Sequence, residues 1–351
     1  MDLNQFIRDA RADRCSDIHI TAGTEVAVRR FGQLKILNVR PSLEEATQII
    51  LSLLDDYCRD LVLSGKDVDV ATTDAEGGRI RVNVYHQRNN LAASIRLLDA
   101  NIPTFEQLGI NPRVLKHLSE LRGGLVLITG PTGSGKSTTL AAMINHINRN
   151  CAKHVITVED PIEYVYYHER AMIHQRQVGI DVPDFATALR SSLREDPDII
   201  MVGEMRDYET ISAAVTAAET GHLVLSTLHT KSAAQTIDRI INACPIEAQA
   251  SMRIQLATVL SGVITQQLLP VTNGSGMVAA TEIMLRNNAI TSLIRENKTN
   301  QIQTVLQSSL QTGMHTLNHS LVQLVRTGTV TLDDAMNVSN EPSNLESMLR
   351  M

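Results

Sequence analysis

"GLVLITGPTGSGKST", residues 124 to 138, decides the fold. Leu125 to Ile128 form a short apolar run of the kind that fills a buried parallel strand. Gly130 to Ser137 then satisfy the eight-residue phosphate-binding loop pattern, and a helix-forming run begins at about Lys136. The chemistry needs these residue types in this order. Glycines let backbone N–H groups turn inward around phosphate oxygens, and the helix N-terminus adds positive potential. The lysine reaches the β and γ phosphates, and the following hydroxyl can ligate magnesium. Gly130, Pro131, Thr132, Gly133, Ser134, Gly135, Lys136, Ser137 and Thr138 are therefore the candidate ATP-binding residues, with Ser137 a candidate Mg2+ ligand. The plain alternative is a glycine-rich turn with an incidental lysine, which the strand before and the helix after disfavour.

Outward from this loop, apolar strands alternate with helical runs. "HVITVED", "DIIMVG" and "HLVLSTLH" read as strands, and "NPRVLKHLSELRGG", "DFATALRSSLRED" and residues 207 to 220 as helices. In the first of these helices Asn111 is the cap, Pro112 takes the first helical position and Gly123 stands just past the end. The alternation predicts an α/β domain with a mainly parallel sheet. From about Glu247 the chain reads as mostly helical, with one short hairpin around "NGSG" at 273 to 276 and a loosely ordered tail from Ser339.

Residues 1 to 98 mix helix and strand. "SLEEATQIILSLL" opens with Ser42 and Glu45 at capping-box spacing and puts Leu43, Ala46, Ile49, Ile50 and Leu53 on one face. "RIRVNVYH" alternates as a half-buried strand, and "LAASIRLL" is its antiparallel partner. A hairpin loop at 87 to 90 sets Arg81 opposite Arg96. Like charges directly opposite are destabilising, so this pair predicts an anion between them. Residues 99 to 110 carry Asn101, Pro103 and Gly109 without periodicity and read as an interdomain linker. The expected domains are 1–98, the linker 99–110, and 111–351.

Acids gather at the predicted strand ends. "TVEDPIEY" supplies Glu159, Asp160 and Glu163, and strand C-termini in a parallel sheet converge on one ligand crevice. Asp160, before Pro161, also fits a turn former. In "PDIIMVGEMRD", residues 197 to 207, the strand ends in Gly203 where a magnesium-attending acid is expected, and Glu204 follows. Glu204 fits a role in polarising the attacking water or binding magnesium. It equally fits a solvated ion pair with Arg206 or Arg194. His229 ends the next strand, where a γ-phosphate sensor belongs, while His222 starts it and alone reads as structural. Arg190 and Arg194 are four apart on a predicted helix, either toward nucleotide or as a solvated stripe. Arg79, Arg81 and Arg96 lie in the other domain.

Composition narrows the function classes. A chain of 351 residues predicts two domains, and 43% apolar with 20% charged residues is ordinary for a globular protein. Net charge −6, no Trp and 3% aromatics argue against a nucleic-acid motor that stacks bases. Cys15, Cys58, Cys151 and Cys244 are far apart, giving neither a metal knuckle nor a disulfide framework, as in a reducing cytoplasm. The N-terminus carries charges where a signal peptide is apolar, and no apolar run approaches the roughly 20 residues that span a bilayer. Membrane contact is then expected through partners.

"GPTGSGKST", "VITVEDPIEY", "LREDPDIIMVGEMRD" and "TAAETGHLVLSTLHT", in this order, resemble the secretion ATPase superfamily, and within it the type IV pilus retraction branch. The likeness extends to "CSDIHITAG", "RIRVNVYHQ" and "NAITSLIRENKTNQI", so it covers nearly the whole chain. It implies a PAS-like N-terminal domain, a RecA-like ATPase domain with a helical C-terminal region, and a homohexameric ring. The family boxes fall on Gly130 to Ser137, on Glu159, Asp160 and Glu163, on Gly203 and Glu204, and on His222 and His229. A strand ending in Gly and Glu is thus a trait of the family. The resemblance further implies Glu204, Glu163, Lys136 and His229 in catalysis, with Ser137, Glu163 and Glu204 toward Mg2+. Arg81 and Arg96, with Arg79 third, would face nucleotide across a subunit interface. The implied function is pilus retraction and twitching motility. The implied partners are an inner-membrane platform protein, indirectly the pilin fibre, and a paralogous ATPase, at the inner face of the cytoplasmic membrane. An assembly or type II secretion ATPase is the rival within the superfamily, and a nucleotide-gated accessory the rival outside catalysis. The absence of a CxxC module favours retraction. Residues 289 to 296 read "AITSLIRE" where the retraction branch resembles "AIRNLIRE", so Thr291 replaces an arginine at a segment tied to partner coupling.

Overall fold

The structure, a computed structural model, describes residues 2–98, 101–274 and 276–350. It divides into two compact units, Met1–Asn101 with Pro161–Val165, and Ile102–Asp160 with Tyr166–Met351.

The first unit runs α1 (Leu3–Ala12), β1 (Cys15–Thr21), β2 (Ala27–Arg30), β3 (Gln33–Ile36), α2 (Leu43–Ser52), α3 (Asp56–Leu63), β4 (Val68–Thr73), β5 (Arg79–Gln87) and β6 (Asn90–Leu97). Its six strands pair antiparallel in the order β3-β2-β1-β6-β5-β4. Ser42 and Glu45 close the capping box at the start of α2, with Ser42 N donating to Glu45 Oε2 at 2.9 Å and Glu45 N to Ser42 Oγ at 3.2 Å. The buried face of that helix is narrower than its periodicity suggests: Ala46 and Ile50 are buried, but Leu43 is 51% exposed.

Arg81 does stand opposite Arg96, although the turn is shorter than expected, with Gln87 already paired to Asn90 and positive φ at Arg88 and Asn89. The anion predicted between the arginines is not needed. Arg81 Nη2 meets Asp69 Oδ2 of β4 at 2.6 Å, and Arg96 Nε meets Asp17 Oδ1 of β1 at 3.0 Å. One face of the sheet therefore carries a row of carboxylate, guanidinium, guanidinium and carboxylate, and β4 and β1, which flank β5 and β6, neutralise the pair between them.

The second unit continues with α4 (Pro112–Ser119), β7 (Gly124–Thr129), α5 (Lys136–Asn150), β8 (His154–Glu159), β9 (Met172–Gln177), α6 (Phe185–Ser192) and β10 (Ile199–Val202). There follow α7 (Tyr208–Glu219), β11 (Leu223–Leu228), α8 (Ala233–Asn242), α9 (Ile246–Val259), β12 (Leu260–Pro270) and β13 (Met277–Leu285). The remainder is helical: α10 (Asn288–Arg295), α11 (Ile302–Ser308), α12 (Leu317–Arg326), α13 (Leu332–Val338) and α14 (Pro342–Arg350). The sheet order is β13-β12-β7-β11-β10-β8-β9, parallel throughout except for β12 against β13. Every residue of β7, β10 and β11 is buried, as strands covered on both faces require.

Four expectations from sequence change here. The segment after Glu247 is not continuously helical: α9 stops at Val259 and the chain enters an eleven-residue strand. The reason is the wholly buried β7, whose second edge needs backbone partners that β12 supplies. The hairpin expected around "NGSG" is present, with β12 and β13 paired antiparallel on either side of it, and Ser275 lies outside the described residues. The tail is ordered as α14, pinned by the fully buried Leu345 among Leu269, Leu317, Leu321 and Val330. Helix α4 keeps Asn111 as cap but ends at Ser119, short of Gly123. Of the linker segment, residues 99 and 100 lie outside the described residues, while Phe105 and Ile110 are buried in the second unit.

His315 bridges to β13, its N donating to Ile283 O at 3.1 Å and its Nε2 lying 3.0 Å from Thr281 Oγ1. Burial, then the neighbouring His319, pushes the His315 pKa down to about 4. Between that value and 6.5 the unfolded chain binds a proton that the native state refuses, so stability is lost as pH falls through this window. At pH 5 the expected loss is roughly 1 to 2 kcal/mol. Urea denaturation at pH 7.5 and pH 5 should show a loss of stability larger by about that amount in the wild type than in His315→Gln.

Candidate active site

Parallel registers bring the chemistry to one edge. Thr129 pairs with Leu228, and Val202 pairs with Ser226 and with Val158, so β7, β8, β10 and β11 end together. The residues just beyond those ends are Gly130, Asp160, Gly203 with Glu204, and His229. A parallel sheet places its ligand crevice at this edge.

The loop between β7 and α5 takes the shape its glycines allow. Gly130 has φ +143°, and a Cβ there would stand 2.2 Å from Gln266 O, so no side chain fits. Gly135, at φ +85°, is the N-cap of α5 with no side-chain cap bond, so the positive end of the helix dipole stands at this loop. Lys136 is buried, its Nζ donating to Gly130 O at 3.0 Å and to Pro131 O at 2.9 Å. The ammonium is thus held over its own loop. Thr132, Gly133 and Ser137 are exposed, and Thr138 is partly so.

Glu204 follows Gly203, the first residue past the strand, and the backbone leading to it is braced. Gly203 N donates to Val158 O at 2.8 Å, Thr227 Oγ1 donates to Gly203 O at 2.6 Å, and Ser226 Oγ donates to Val202 O at 2.8 Å. A Cβ at Gly203 would meet only ordinary contacts beyond 3.4 Å, so packing within the chain does not demand glycine there. The ion-pair reading of Glu204 is met by one of its two oxygens, and the other lies beside His229. Glu204 Oε1 pairs with Arg206 Nη2 at 2.6 Å, and its Oε2 lies 3.6 Å from His229 Nε2. The Arg206 side chain is 74% exposed, so that pair is screened, whereas the Glu204 side chain is 15% exposed and its other oxygen faces the site. Burial, with help from the positive Lys136, lowers the His229 pKa below 6.5, and Glu204 opposes the shift. Lys136, Glu204 and His229 therefore form one electrostatic cluster, with a neutral imidazole at neutral pH.

The remaining candidates scatter. Glu159 is buried on β8 and accepts from Thr157 Oγ1 at 2.6 Å and Gln175 Nε2 at 3.1 Å, which makes it part of the sheet's polar bracing. Asp160 is exposed and lines a cleft of about 460 Å³ with Asp184, Arg190, Arg206 and Asp207. Arg190 shares that cleft, and its Nη2 donates to Thr187 Oγ1 at 3.3 Å. Arg194 does not share a helical face with it, because α6 ends at Ser192 and Arg194 lies in the following turn. His222 is corrected as well. It precedes β11 at the opposite edge of the sheet, about 20 Å from the loop at ~3.3 Å per residue, and its Nδ1 lies 3.0 Å from Ala217 O at the end of α7. Glu163 falls in Pro161–Val165, within the first unit, as do Arg79, Arg81 and Arg96. Arg79 Nη2 donates to Ile162 O at 3.0 Å.

The residue that sequence reasoning missed is Gln266. Because β12 runs parallel to β7 with Thr265 opposite Thr129, Gln266 reaches the same edge and packs against the phosphate-binding loop. The apolar run "LSGVIT" before it was the available signal for a strand.

Among the described residues no group of three or more His, Cys, Asp or Glu side chains could hold a metal ion, and no helix is long and apolar enough to cross a membrane. The family profile described as "Type II/IV secretion system protein" matches residues 1–337. The Pseudomonas aeruginosa protein named type IV pilus retractation ATPase PilT is 41% identical over 345 residues, covering 98% of this chain and all of that one. A Neisseria gonorrhoeae twitching motility protein is 43% identical over 322 residues, 92% of this chain and 85% of its own. The crystal structure of the pilus retraction motor PilT with bound ADP superposes with a TM-score of 0.89 at 45% identity, covering 99% of this chain and 100% of that one.

Proposed function

The chain belongs to the type II/IV secretion system protein family, and from that membership we propose that it is the ATP-hydrolysing motor that powers type IV pilus retraction and twitching motility. The observation that carries the reading is the cluster at the sheet edge, where Lys136, Glu204 and His229 surround the mouth of a complete phosphate-binding loop.

The residues divide the reaction among themselves. Loop N–H groups and the N-terminus of α5 hold the phosphates, and Lys136 trades its bonds to Gly130 O and Pro131 O for phosphate oxygens. The Oε2 of Glu204 orients the attacking water and takes its proton. Neutral His229, beside that oxygen, reads the γ-phosphate through a hydrogen bond. Exposed Ser137 is an oxygen donor of the kind Mg2+ prefers. Magnesium would neutralise charge on the β and γ phosphates, with Glu204 contributing through water.

In this reading the two units work as separate domains in a homohexameric ring. Arg81, Arg96 and Arg79 serve a neighbour's nucleotide, and Arg81 and Arg96 must leave Asp69 and Asp17 to do so. The ring acts on an inner-membrane platform protein, and through it on the pilin fibre, at the cytoplasmic face of the membrane. Deletion in the source organism, scored by surface pili, tests the direction of work. Excess pili that do not retract are expected; bald cells would move the protein to the assembly side.

A further inference from the structure

We infer that Gln266 is the positioning residue that sets the phosphate-binding loop in its nucleotide-receiving shape from the neighbouring strand, and that nucleotide affinity depends on its side-chain amide. This rests on the nucleotide reading of the loop given above.

Gln266 is 1% exposed at the C-terminal edge of β12. Its amide divides between two parts of the loop. Nε2 donates to Ser134 O at 2.6 Å, and Oε1 accepts from Thr139 Oγ1, in the first turn of α5, at 3.0 Å. Its own carbonyl occupies the space that a side chain at Gly130 would need, and its Nε2 stands 3.1 Å from where a Cβ at Gly135 would be. One residue therefore meets the entry, the middle and the exit of the loop.

The bond to Ser134 O has a directional consequence. A trans peptide points its C=O and the following N–H in opposite directions. With Ser134 O drawn to β12, the Gly135 N–H is turned to the other side, away from β12, where a phosphate oxygen accepts it. Only an amide serves both contacts: a carboxylate keeps the bond from Thr139 but sets a negative oxygen against Ser134 O. A hydrophobic side chain of similar volume fills the space and leaves both loop groups without the partner they now have.

The bland alternative is a buried glutamine that merely stabilises the fold. It predicts lower thermal stability for any replacement and unchanged nucleotide affinity in the folded protein. The test measures ADP affinity by calorimetry, ATPase KM and kcat, and melting temperature, for wild type, Gln266→Glu, Gln266→Met and Thr139→Val. Glutamate and methionine variants are expected to weaken ADP binding and raise KM by about tenfold or more, with kcat at saturating ATP within about threefold. Thr139→Val leaves the Ser134 bond intact and should change ADP affinity by less than about threefold. Folded Gln266→Met with wild-type ADP affinity and only a lowered melting temperature overturns the inference. Should Gln266→Glu not fold, the volume-conserving methionine variant decides alone. Failure of the wild type itself to bind ADP would overturn the nucleotide reading instead, so the two are told apart.

Discussion

Glu204→Gln keeps nucleotide affinity within about threefold of wild type and lowers ATP turnover by at least about a hundredfold. The substitution preserves size and the bracing of the strand end by Val158 O and Thr227, and it removes only the capacity to accept a proton and the negative charge. Position argues for the size of the effect. Glu204 Oε1 is occupied by Arg206, but Oε2 lies toward His229 at the edge where β7, β10 and β11 end. If the carboxylate served only the exposed ion pair with Arg206, its neutralisation would cost little, since such pairs contribute on the order of 0 to 1 kcal/mol. Steady-state turnover and equilibrium ADP binding on the same preparation separate these accounts. Turnover near wild type would remove Glu204 from water activation.

The distribution of what sequence revealed has a physical cause. The loop from Gly130 to Ser137 is legible because its chemistry is local: φ values that only glycine tolerates, a helix start, and a lysine at fixed spacing all lie within eight residues. Glu204 and His229 were legible because strand ends in a parallel sheet share an edge, so finding the strands was enough to place them. The same reasoning set His222 at the start of that strand and read it as structural, and it was the family resemblance that put it toward nucleotide. Gln266 was hidden because nothing near it in sequence marks a phosphate site. Its meaning comes from the pairing of Thr265 with Thr129, a contact across more than a hundred residues that periodicity does not encode. The arginines show a third case. The register of Arg81 against Arg96 was readable from the hairpin, yet Asp69 and Asp17, which neutralise them, sit on flanking strands whose order in the sheet was not.

Lys136→Ala is expected to lower turnover by about a hundred- to a thousandfold and to weaken ATP and ADP binding together. The ammonium that would meet the β and γ phosphates disappears, while its bonds to Gly130 O and Pro131 O belong to the free loop and are given up when phosphate binds. Reduced ATP affinity alone does not prove that Lys136 shares a site with the strand-end residues, because a collapsed loop would also bind poorly. The His229 imidazole supplies an internal check. Lys136 lowers its pKa and Glu204 raises it. The titration of His229, followed by imidazole NMR, should therefore move up in Lys136→Ala and down in Glu204→Gln. Shifts of opposite sign can arise only if both charges lie within electrostatic reach of one imidazole, since unfolding of the loop would carry the pKa toward its ordinary value in both variants. A His229 titration that ignores both substitutions would break the cluster apart, and with it the assignment of hydrolysis to this edge of the sheet.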